Sequence, residues 1–443
     1  MKAKTILLIL LALTIILVPA KAKKRKAKQE LFPDGTPVPA WFSDTTATDA
    51  SQFGRPYVIT SYGVKNDSTV VQTDAIQRVI DQCAAEGGGV IVFPRGTFLS
   101  GSLFFKPRTH LLMSEGAVLK GTDAIADYAI VKTRLEGQTL NYFAALVNAD
   151  GVDGFTISGK GTINGNGRRF WQEFWLRRKV NPKCTNLEAL RPRLVYISNS
   201  SDVTVSGVRL INPGFWTNHI YNCKRVKYLN CYIYAPTEGL RAPSSDALDL
   251  DAVEDVLVHG CYMNVSDDAV CLKGGKGTWV DTIAGNGACR NVIIQHCRYG
   301  RAGAGITFGS ESFDDRNIIL RNCTFNGTPN LILFKMRPDT PQRYTYVRVE
   351  NCSGTVRKGF SVNRWTQFYN RLPRPDMPRS FVDHVTLHGL NLICTQGFYM
   401  VNASDQYDVR NVTFEYCTIY DPVGQMDTSF IQNCKVDQVI FKH

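Results

Sequence analysis

The sequence predicts an all-β fold, a single-stranded right-handed parallel β-helix with an N-terminal capping helix. From about residue 150 the 443-residue chain repeats one pattern: apolar, any, apolar, any, small or polar, Cys, any, apolar. Successive copies begin 23 to 38 residues apart with no helical periodicity between them, which is typical of a solenoid of short strands. The copies lie at residues 203–210, 226–233, 256–263, 292–299, 318–325, 347–352, 385–392 and 412–419.

A second strand follows each copy at a fixed distance and gives the register between coils. Fourteen residues after the start of three copies the chain is again apolar, and so is the residue two positions later. These pairs are Val270 with Leu272, Ile306 with Phe308, and Ile332 with Phe334; Leu248 with Leu250 fits one coil earlier. The alignment puts two rows of residues on successive coils: Asp246, Asp268, Ala304 and Asn330, and beside them Asp251, Lys273, Gly309 and Lys335.

The repeated cysteines favour a packing role. Equivalent side chains of a parallel β-helix stack about 4.8 Å apart, and a buried thiol behaves as a small hydrophobe. The chain has thirteen cysteines, an odd number, so they cannot all pair within it. Disulfides outside the stack, for example at Cys184, stay open. The residues predicted to form one inward stack are Cys231, Cys261, Cys297, Cys323, Cys352 and Cys417.

Residues 73–86 show the spacing of an amphipathic helix. Ile76, Val79, Ile80 and Cys83 recur at i, i+3, i+4 and i+7, with Thr73 as the candidate N-cap and Gly87 to Gly89 as the stop. A short apolar strand follows at residues 90–94. We expect this helix to cover the open N-terminal end of the β-helix core.

The N-terminus predicts export. Residues 1–22 combine a basic start, a short apolar run and an A-x-A pattern, which indicates a secretory signal peptide; an uncleaved anchor is the alternative. Residues 23–56 follow as a basic tail and linker, and residues 57–443 form the catalytic β-helix domain. We expect a periplasmic or extracellular protein that has no membrane span after signal removal and is a monomer.

The charge of the chain points to an acidic partner. Removing the three signal-peptide lysines lowers the formal charge from +12 to +9. For an exported protein, this excess favours an acidic polysaccharide over nucleic acid. A basic surface that serves only solubility is the other interpretation.

Three acids carry the chemistry that the sequence suggests. Asp246 and Asp268 lie one coil apart, and Asp267 is adjacent to Asp268. Clustered carboxylates repel one another, so at least one should hold a proton near neutral pH. A protonated acid beside a base that holds water can split a glycosidic bond with inversion. Strict strand alternation would turn Asp246 into the core with Leu248, so a turn or bulge must interrupt the strand there.

These motifs resemble glycoside hydrolase family 28, the polygalacturonases and their pectin-degrading relatives. The family's Asn-Thr-Asp corresponds to residues 244–246, and its Gly-Asp-Asp to residues 266–268. Residues 62–98 and 157–165 also resemble the family. The resemblance implies inverting hydrolysis of α-galacturonosidic bonds in pectin, without metal or other cofactor. It also implies that Asp267 is the general acid and that Asp246 and Asp268 position and deprotonate water.

Two departures bear on specificity. The family's Gly-His-Gly falls at residues 302–306, where Gly303 or Ala304 replaces the histidine, and its Arg-Ile-Lys becomes Leu333, Phe334 and Lys335. A leucine cannot grip a carboxylate as an arginine fork does, unless Arg337 or Arg301 substitutes for it. The expected substrates are pectin, galacturonan or rhamnogalacturonan oligosaccharides, with a rhamnogalacturonan- or side-chain-directed activity as one hypothesis.

Further residues are candidates for substrate contact. We expect Lys335, Arg337, His219 and Trp216 to bind substrate, the last two as a floor for the sugar groove. A basic stretch around Trp171 and Trp175 is interpreted as a solvated loop, with polyanion binding as the alternative; it contains Arg168, Arg169, Arg177, Arg178 and Lys179.

Two other functions stay open at this point. One is a pectate lyase, which would need calcium and a basic proton abstractor. The other is a non-catalytic carbohydrate-binding or adhesive β-helix.

Overall fold

The chain forms a right-handed parallel β-helix. The structure, a computed structural model, describes residues 29–367 and 372–442. The predicted signal peptide, residues 1–22, and the basic run at 23–28 lie outside the described residues, so cleavage, export and the monomeric state stay predictions. Within the described residues, thirty strands join in one continuous parallel ladder and two form a separate antiparallel hairpin.

The strands in the N-terminal half of the β-helix are three to six residues long. They are β1 Pro56–Val58, β2 Gly89–Phe93, β3 Gly96–Ser100, β4 Leu103–Phe105, β5 Thr109–Met113, β6 Ala117–Gly121, β7 Ile130–Leu135, β8 Gln138–Phe143, β9 Val147–Asp150, β10 Thr156–Gly159, β11 Thr162–Asn164, β12 Val195–Ser198, β13 Ser201–Ser206, β14 Arg209–Ile211, β15 Asn218–Tyr221, β16 Lys224–Leu229 and β17 Tyr232–Tyr234.

Towards the C-terminus the strands lengthen, and some run through two faces of the coil. They are β18 Leu248–Asp251, β19 Glu254–His259, β20 Tyr262–Asn264, β21 Val270–Lys273, β22 Cys289–Gln295, β23 Arg298–Tyr299, β24 Ala304–Phe308, β25 Asp314–Arg321, β26 Thr324–Met336, β27 Arg343–Glu350, β28 Ser353–Arg364, β29 Ser380–His388, β30 Asn391–Val401, β31 Tyr407–Tyr420 and β32 Ile431–Lys442.

The predicted register is confirmed on both faces that the sequence defined. Val256 of β19 pairs with Val292 of β22, which pairs in turn with Ile318 of β25. On the face that includes β18, β21, β24 and part of β26, Val270 pairs with Ile306, and Ile306 pairs with Ile332. A shift of one residue would turn every core side chain outward, which is why the apolar pattern specifies this register so strongly.

A left-handed turn residue precedes each cysteine of the stack. The residue at this position has a φ of +53° to +68° in every coil from Asn230 to Tyr416. Glycine and asparagine adopt this conformation at least cost, which explains the small or polar position of the repeat. Its occupants are Asn230, Gly260, His296, Asn322, Asn351, Gly389 and Tyr416.

The cysteine stack is confirmed. Its six members are buried, and their thiols lie against backbone carbonyls, as Cys231 Sγ does at 3.4 Å from the oxygen of Val205. All thirteen cysteines, Cys184 included, lie within the described residues and are free. The stack therefore stabilises the core by packing.

Helix α1, Thr73–Ala85, covers the N-terminal end of the core as predicted. Its buried face consists of Ile76, Val79, Ile80 and Cys83. The predicted N-cap is wrong by one position: Thr73 is the first helical residue, and Gln72 precedes it. The hydroxyl of Thr73 instead accepts a hydrogen bond of 2.7 Å from the backbone N–H of Gly101, which ties the helix to the first coils.

Two insertions rise from the coil and form the walls of a cleft. One is the β7–β8 hairpin. The other is helix α2, Arg168–Val180, so the interpretation of this stretch as a solvated loop is wrong. Its apolar residues Phe170, Trp171 and Phe174 form one buried face, which the surrounding arginines obscure in the sequence. The indole of Trp171 donates a hydrogen bond of 2.8 Å to the carbonyl of Pro213 and docks the helix on the coil.

Part of the predicted linker packs along the outside of the coil. Phe32, Val38 and Phe42 are buried against an outward apolar stripe that includes Leu257 and Ile293. The Asp34 carboxylate accepts a hydrogen bond from Arg316 at 2.9 Å and fixes the segment beside β25. Among the described residues, no helix combines the length and the apolar character that crossing a bilayer requires.

Candidate active site

The three predicted acids meet in one cleft of about 300 Å³. Asp246 and Asp268 precede β18 and β21 on adjacent coils, and Asp267 lies beside them. The backbone N–H of Ala247 donates to the carbonyl of Asp268 at 3.0 Å and locks the two coils together at this point. A turn at Ser244, with a φ of +50°, interrupts the alternation before β18 and lets Asp246 face the cleft.

The acids are close together and largely shielded from water. One carboxylate oxygen each of Asp246 and Asp268 lies within 4.8 Å of the other. Burial raises the pKa of Asp246 well above its ordinary value, and the neighbouring charges of Asp249 and Asp267 raise it further. Burial, together with the charge of Asp268, also raises the pKa of Asp267. The cluster therefore retains protons that isolated carboxyl groups would lose.

Lys335 distinguishes Asp268 from the other two acids. Its ammonium group lies 2.8 Å from the carboxylate of Asp268 and 4.7 Å from the centre of the Trp365 ring. Burial alone would lower the pKa of Lys335, but the carboxylates of Asp268 and Asp267 outweigh this effect and raise it. Asp268 thus has a permanent positive partner. The described residues offer no hydrogen bond to the buried Oδ1 of Asp246.

A second lysine organises the floor. The Nζ atom of Lys273 lies 2.9 Å from Glu311, 3.3 Å from Asp249 and 4.4 Å above the ring of Trp216. Burial raises the pKa of Asp249 to about 8, against the opposing attraction of Lys273. Trp216, a predicted substrate-binding residue, does line the cleft, beneath this lysine.

Two other predicted substrate-binding residues lie outside the cleft. His219 is fully buried below the floor, where Nδ1 is 2.7 Å from the guanidinium of Arg193 and Nε2 is 3.4 Å from Asp251. Burial lowers its pKa to about 4. Arg337 is buried as well and forms two hydrogen bonds of 2.8 Å with Asp339. Side-chain direction decides both cases, and motif spacing does not report it.

The departures from the family motifs have a visible geometry. A Cβ atom at Gly303 would lie 2.7 Å from the Oδ1 atom of Asp268, so a side chain there would displace the acid. Ala304 is buried in the strand and pairs with Asn330. Leu333 is buried in β26 and does not line the cleft. Arg301, which the sequence offers as a substitute, forms an ion pair with Glu238 outside it.

Several lining residues escaped the sequence analysis as functional candidates. Glu136 comes from the β7–β8 hairpin and lies close to Lys276, which follows β21, and both residues line the cleft together with Glu311, which follows β24. Arg241, in the turn before β18, also lines the cleft, as does Arg178 of α2, for which the sequence analysis offers polyanion binding as the alternative to a solvated loop. For Lys273 and Glu311, proximity to the acid motifs was an available signal; the other contacts cross long sequence distances.

The side chains around the acids are poorly suited to bind a metal ion. Asp246, Asp268 and Cys271 bring three potential ligand atoms within 4.8 Å of one another. However, the Cys271 thiol donates a hydrogen bond to the carbonyl of Gly309 at 2.7 Å, and Lys335 forms an ion pair with Asp268. Calcium requires six to eight oxygen ligands, which this mixed set with an adjacent ammonium group does not offer.

Known proteins resemble this chain in both sequence and fold. Residues 106–353 match the model of glycosyl hydrolases family 28. An endo-polygalacturonase of Pectobacterium carotovorum subsp. carotovorum is 25% identical over 398 residues, covering 83% of this chain and 93% of that protein. An exo-poly-alpha-D-galacturonosidase of Dickeya chrysanthemi is 33% identical over 53% of this chain and 44% of its own length. A probable polygalacturonase of Vitis vinifera is also matched over only 44% of its length.

The solved structures agree on the fold. A hyperthermoactive exopolygalacturonase from Thermotoga maritima superposes with a TM-score of 0.71 at 19% identity, covering 90% of this chain and 93% of that one. The family 28 exopolygalacturonase of Yersinia enterocolitica gives 0.72 at 17% identity, covering 87% and 75%. The family match extends over more than half of the sequence and includes all three clustered acids. The chain is therefore a glycosidase that belongs to glycosyl hydrolases family 28.

Proposed function

We propose that this glycosidase hydrolyses α-galacturonosidic bonds in pectin by an inverting acid/base mechanism. The observation that carries the proposal is the unequal environment of three adjacent carboxyl groups in the cleft. Burial and like charges favour protonation of Asp246 and Asp267, whereas Asp268 has Lys335 at 2.8 Å. Neighbouring acids whose environments differ in this way are typical of general acid and base pairs. The names of the polygalacturonase relatives support the substrate class.

In this mechanism Asp267 donates its proton to the glycosidic oxygen as the bond to the anomeric carbon breaks. Water held between Asp246 and Asp268 attacks the same carbon from the opposite face. One carboxylate oxygen of Asp246 lies at most 4.8 Å from one of Asp268, so a single water molecule can hydrogen-bond to both groups. Asp268, which forms an ion pair with Lys335, takes the proton of the attacking water. The product then has the inverted anomeric configuration.

Within pectin, we propose that the sugar on one side of the scissile bond is neutral, as rhamnose is in rhamnogalacturonan. Leu333 offers no hydrogen-bond donor, and Lys335 is already paired with Asp268. Arg337 is paired with Asp339. None of these three side chains supplies the bidentate grip that a second uronate would favour.

Purified protein incubated with polygalacturonate, rhamnogalacturonan and a neutral galactan tests both levels of the proposal. We expect new reducing ends from at least one galacturonate-containing polymer. NMR should detect the product anomer of inverted configuration before the other anomer appears by mutarotation. If the products were unsaturated sugars that absorb ultraviolet light, and a calcium chelator abolished their release, the reaction would be that of a lyase and the hydrolysis proposal would be wrong. Faster cleavage of polygalacturonate than of rhamnogalacturonan would refute the neutral-sugar proposal and leave the pectin proposal standing.

A further inference from the structure

Among the described residues, five cationic side chains line the cleft, and three of them form ion pairs with acidic side chains of the protein itself. Lys335 lies 2.8 Å from Asp268, and Lys273 lies 2.9 Å from Glu311. Lys276 is within 4.0 Å of Glu311 and is also close to Glu136. The charges of these lysines are already compensated by neighbouring carboxylates, so they attract an anionic substrate only weakly.

The other two cations, Arg178 and Arg241, have no carboxylate within ion-pair distance among the residues that the structure describes. The guanidinium of Arg178 lies 4.9 Å from the centre of the Phe174 ring, and that of Arg241 lies 5.1 Å from the Trp175 ring. The Nε atom of Arg178 is shielded from water and finds no hydrogen-bond acceptor in the described chain. A buried donor without a partner costs free energy unless a ligand supplies the acceptor.

The aromatic residues beneath these arginines hold them in place. The indole N–H of Trp175 donates to the carbonyl of Arg241 at 2.7 Å, which joins α2 to the turn that carries Asp246. Below Phe174, the buried guanidinium of Arg191 lies 4.4 Å from the ring and donates to the carbonyl of Pro243 at 2.7 Å. The wall therefore has guanidinium groups stacked on aromatic rings, and it adds positive charge beside the turn that carries Asp246.

We propose that Arg178 and Arg241 bind the carboxylate of a uronate residue in the cleft and so select acidic sugars. A planar guanidinium fork matches a carboxylate, and stacking on an aromatic ring fixes its orientation. The inference rests on the proposed function and deepens it, because it places the acid-sugar contact on α2 and the turn at 241. The sugar beside Lys335 of β26 then needs no counter-charge of its own.

The test uses Arg178→Gln, Arg241→Gln and the double variant, with Arg169→Gln as the matched control. Arg169 is also on α2, but it is exposed, pairs with Glu173 and does not line the cleft. Activity is measured on oligomers of the galacturonate-containing polymer that the wild type cleaves, with free carboxylates and as methyl esters. Lysine variants at both positions retain the charge and provide a second test if a glutamine variant unfolds.

Each charge-assisted hydrogen bond lost should lower kcat/KM for the free acid by about tenfold or more, and the double variant by about 100-fold, mainly through KM. We expect the methyl esters to change by less than about threefold, and Arg169→Gln to behave as the wild type. Equal losses on acid and ester, or no loss on either, would overturn the inference.

The design separates this inference from the proposed function. Cleavage of polygalacturonate that survives in the double variant sinks the arginine contact but leaves pectin hydrolysis intact. If the wild type cleaves no galacturonate-containing polymer, the proposed function fails first. Calorimetric titration with galacturonate then decides the contact alone: binding lost in the double variant supports it, and absent or unchanged binding overturns it.

Discussion

Replacing Lys273 by methionine should destabilise the protein strongly, because it leaves a buried charge without its partner. The side chains of Lys273 and Glu311 are only 4% and 10% exposed, and their charged atoms are 2.9 Å apart. At that distance the attraction is about 6 kcal/mol with an effective dielectric constant of about 20. Burial raises the pKa of Asp249, whereas Lys273 and Lys276 hold the pKa of Glu311 below its ordinary value, so Glu311 is the group expected to be left charged.

Breaking a buried pair by removing one partner typically costs about 3–5 kcal/mol, and we expect Lys273→Met to lose that much. The double variant Lys273→Met with Glu311→Gln removes both charges and should regain at least half of the loss. Unfolding in guanidinium chloride at pH 7, followed by tryptophan fluorescence, measures the free energy of unfolding of the wild type, the two single variants and the double variant, which together form a double-mutant cycle. A loss below about 1 kcal/mol for the single variant, or a double variant no more stable than it, would refute the reasoning.

Three further predictions follow from the same contacts. Gly303→Ala should lower kcat by about 100-fold without unfolding the protein, since the new Cβ displaces the carboxylate of Asp268; unchanged kcat would show that the acid tolerates the shift. His219 has a folded pKa of about 4, below its ordinary 6.5, so acidification from pH 6.5 to 4 should cost about 3 kcal/mol of stability. His219→Gln should abolish that part of the pH dependence, and an identical pH dependence in the variant would contradict it. The twelve buried thiols should be inert to Ellman's reagent in the native protein and react on unfolding, with Cys434, which is partly exposed, as the one thiol that reacts before unfolding. Reductant should leave Tm unchanged, and a drop in Tm with reductant would reveal disulfides.

Much of the fold follows from the sequence because a β-helix repeats one local rule. The apolar positions of each coil and the left-handed residue before Cys231 or Cys297 recur at readable positions, so register can be counted without a structure. That register alone brought Asp246 next to Asp268. Helix α2 was missed because its arginines made a half-buried amphipathic helix look like a solvated loop.

The walls of the site could not be read in the same way. Glu136 and Arg178 reach the acids from insertions, and no periodicity connects an insertion to a given coil. His219 stands on a strand that passes the cleft, yet its ring lies against Arg193 and Asp251 below the floor. Whether a polar side chain faces substrate or forms part of a buried network depends on such long-range partners.

The central claim is that Asp267 is the proton donor of a three-carboxylate glycosidase centre. The most direct measurement compares hydrolysis of the preferred pectic polymer by the wild type, Asp267→Asn and the exposed-acid control Asp123→Asn, with unfolding midpoints determined for each. General acid catalysis contributes about 10²- to 10⁴-fold, so we expect Asp267→Asn to lose about 1000-fold in kcat with its stability retained and Asp123→Asn to match the wild type. Retention of wild-type kcat by Asp267→Asn would contradict the account.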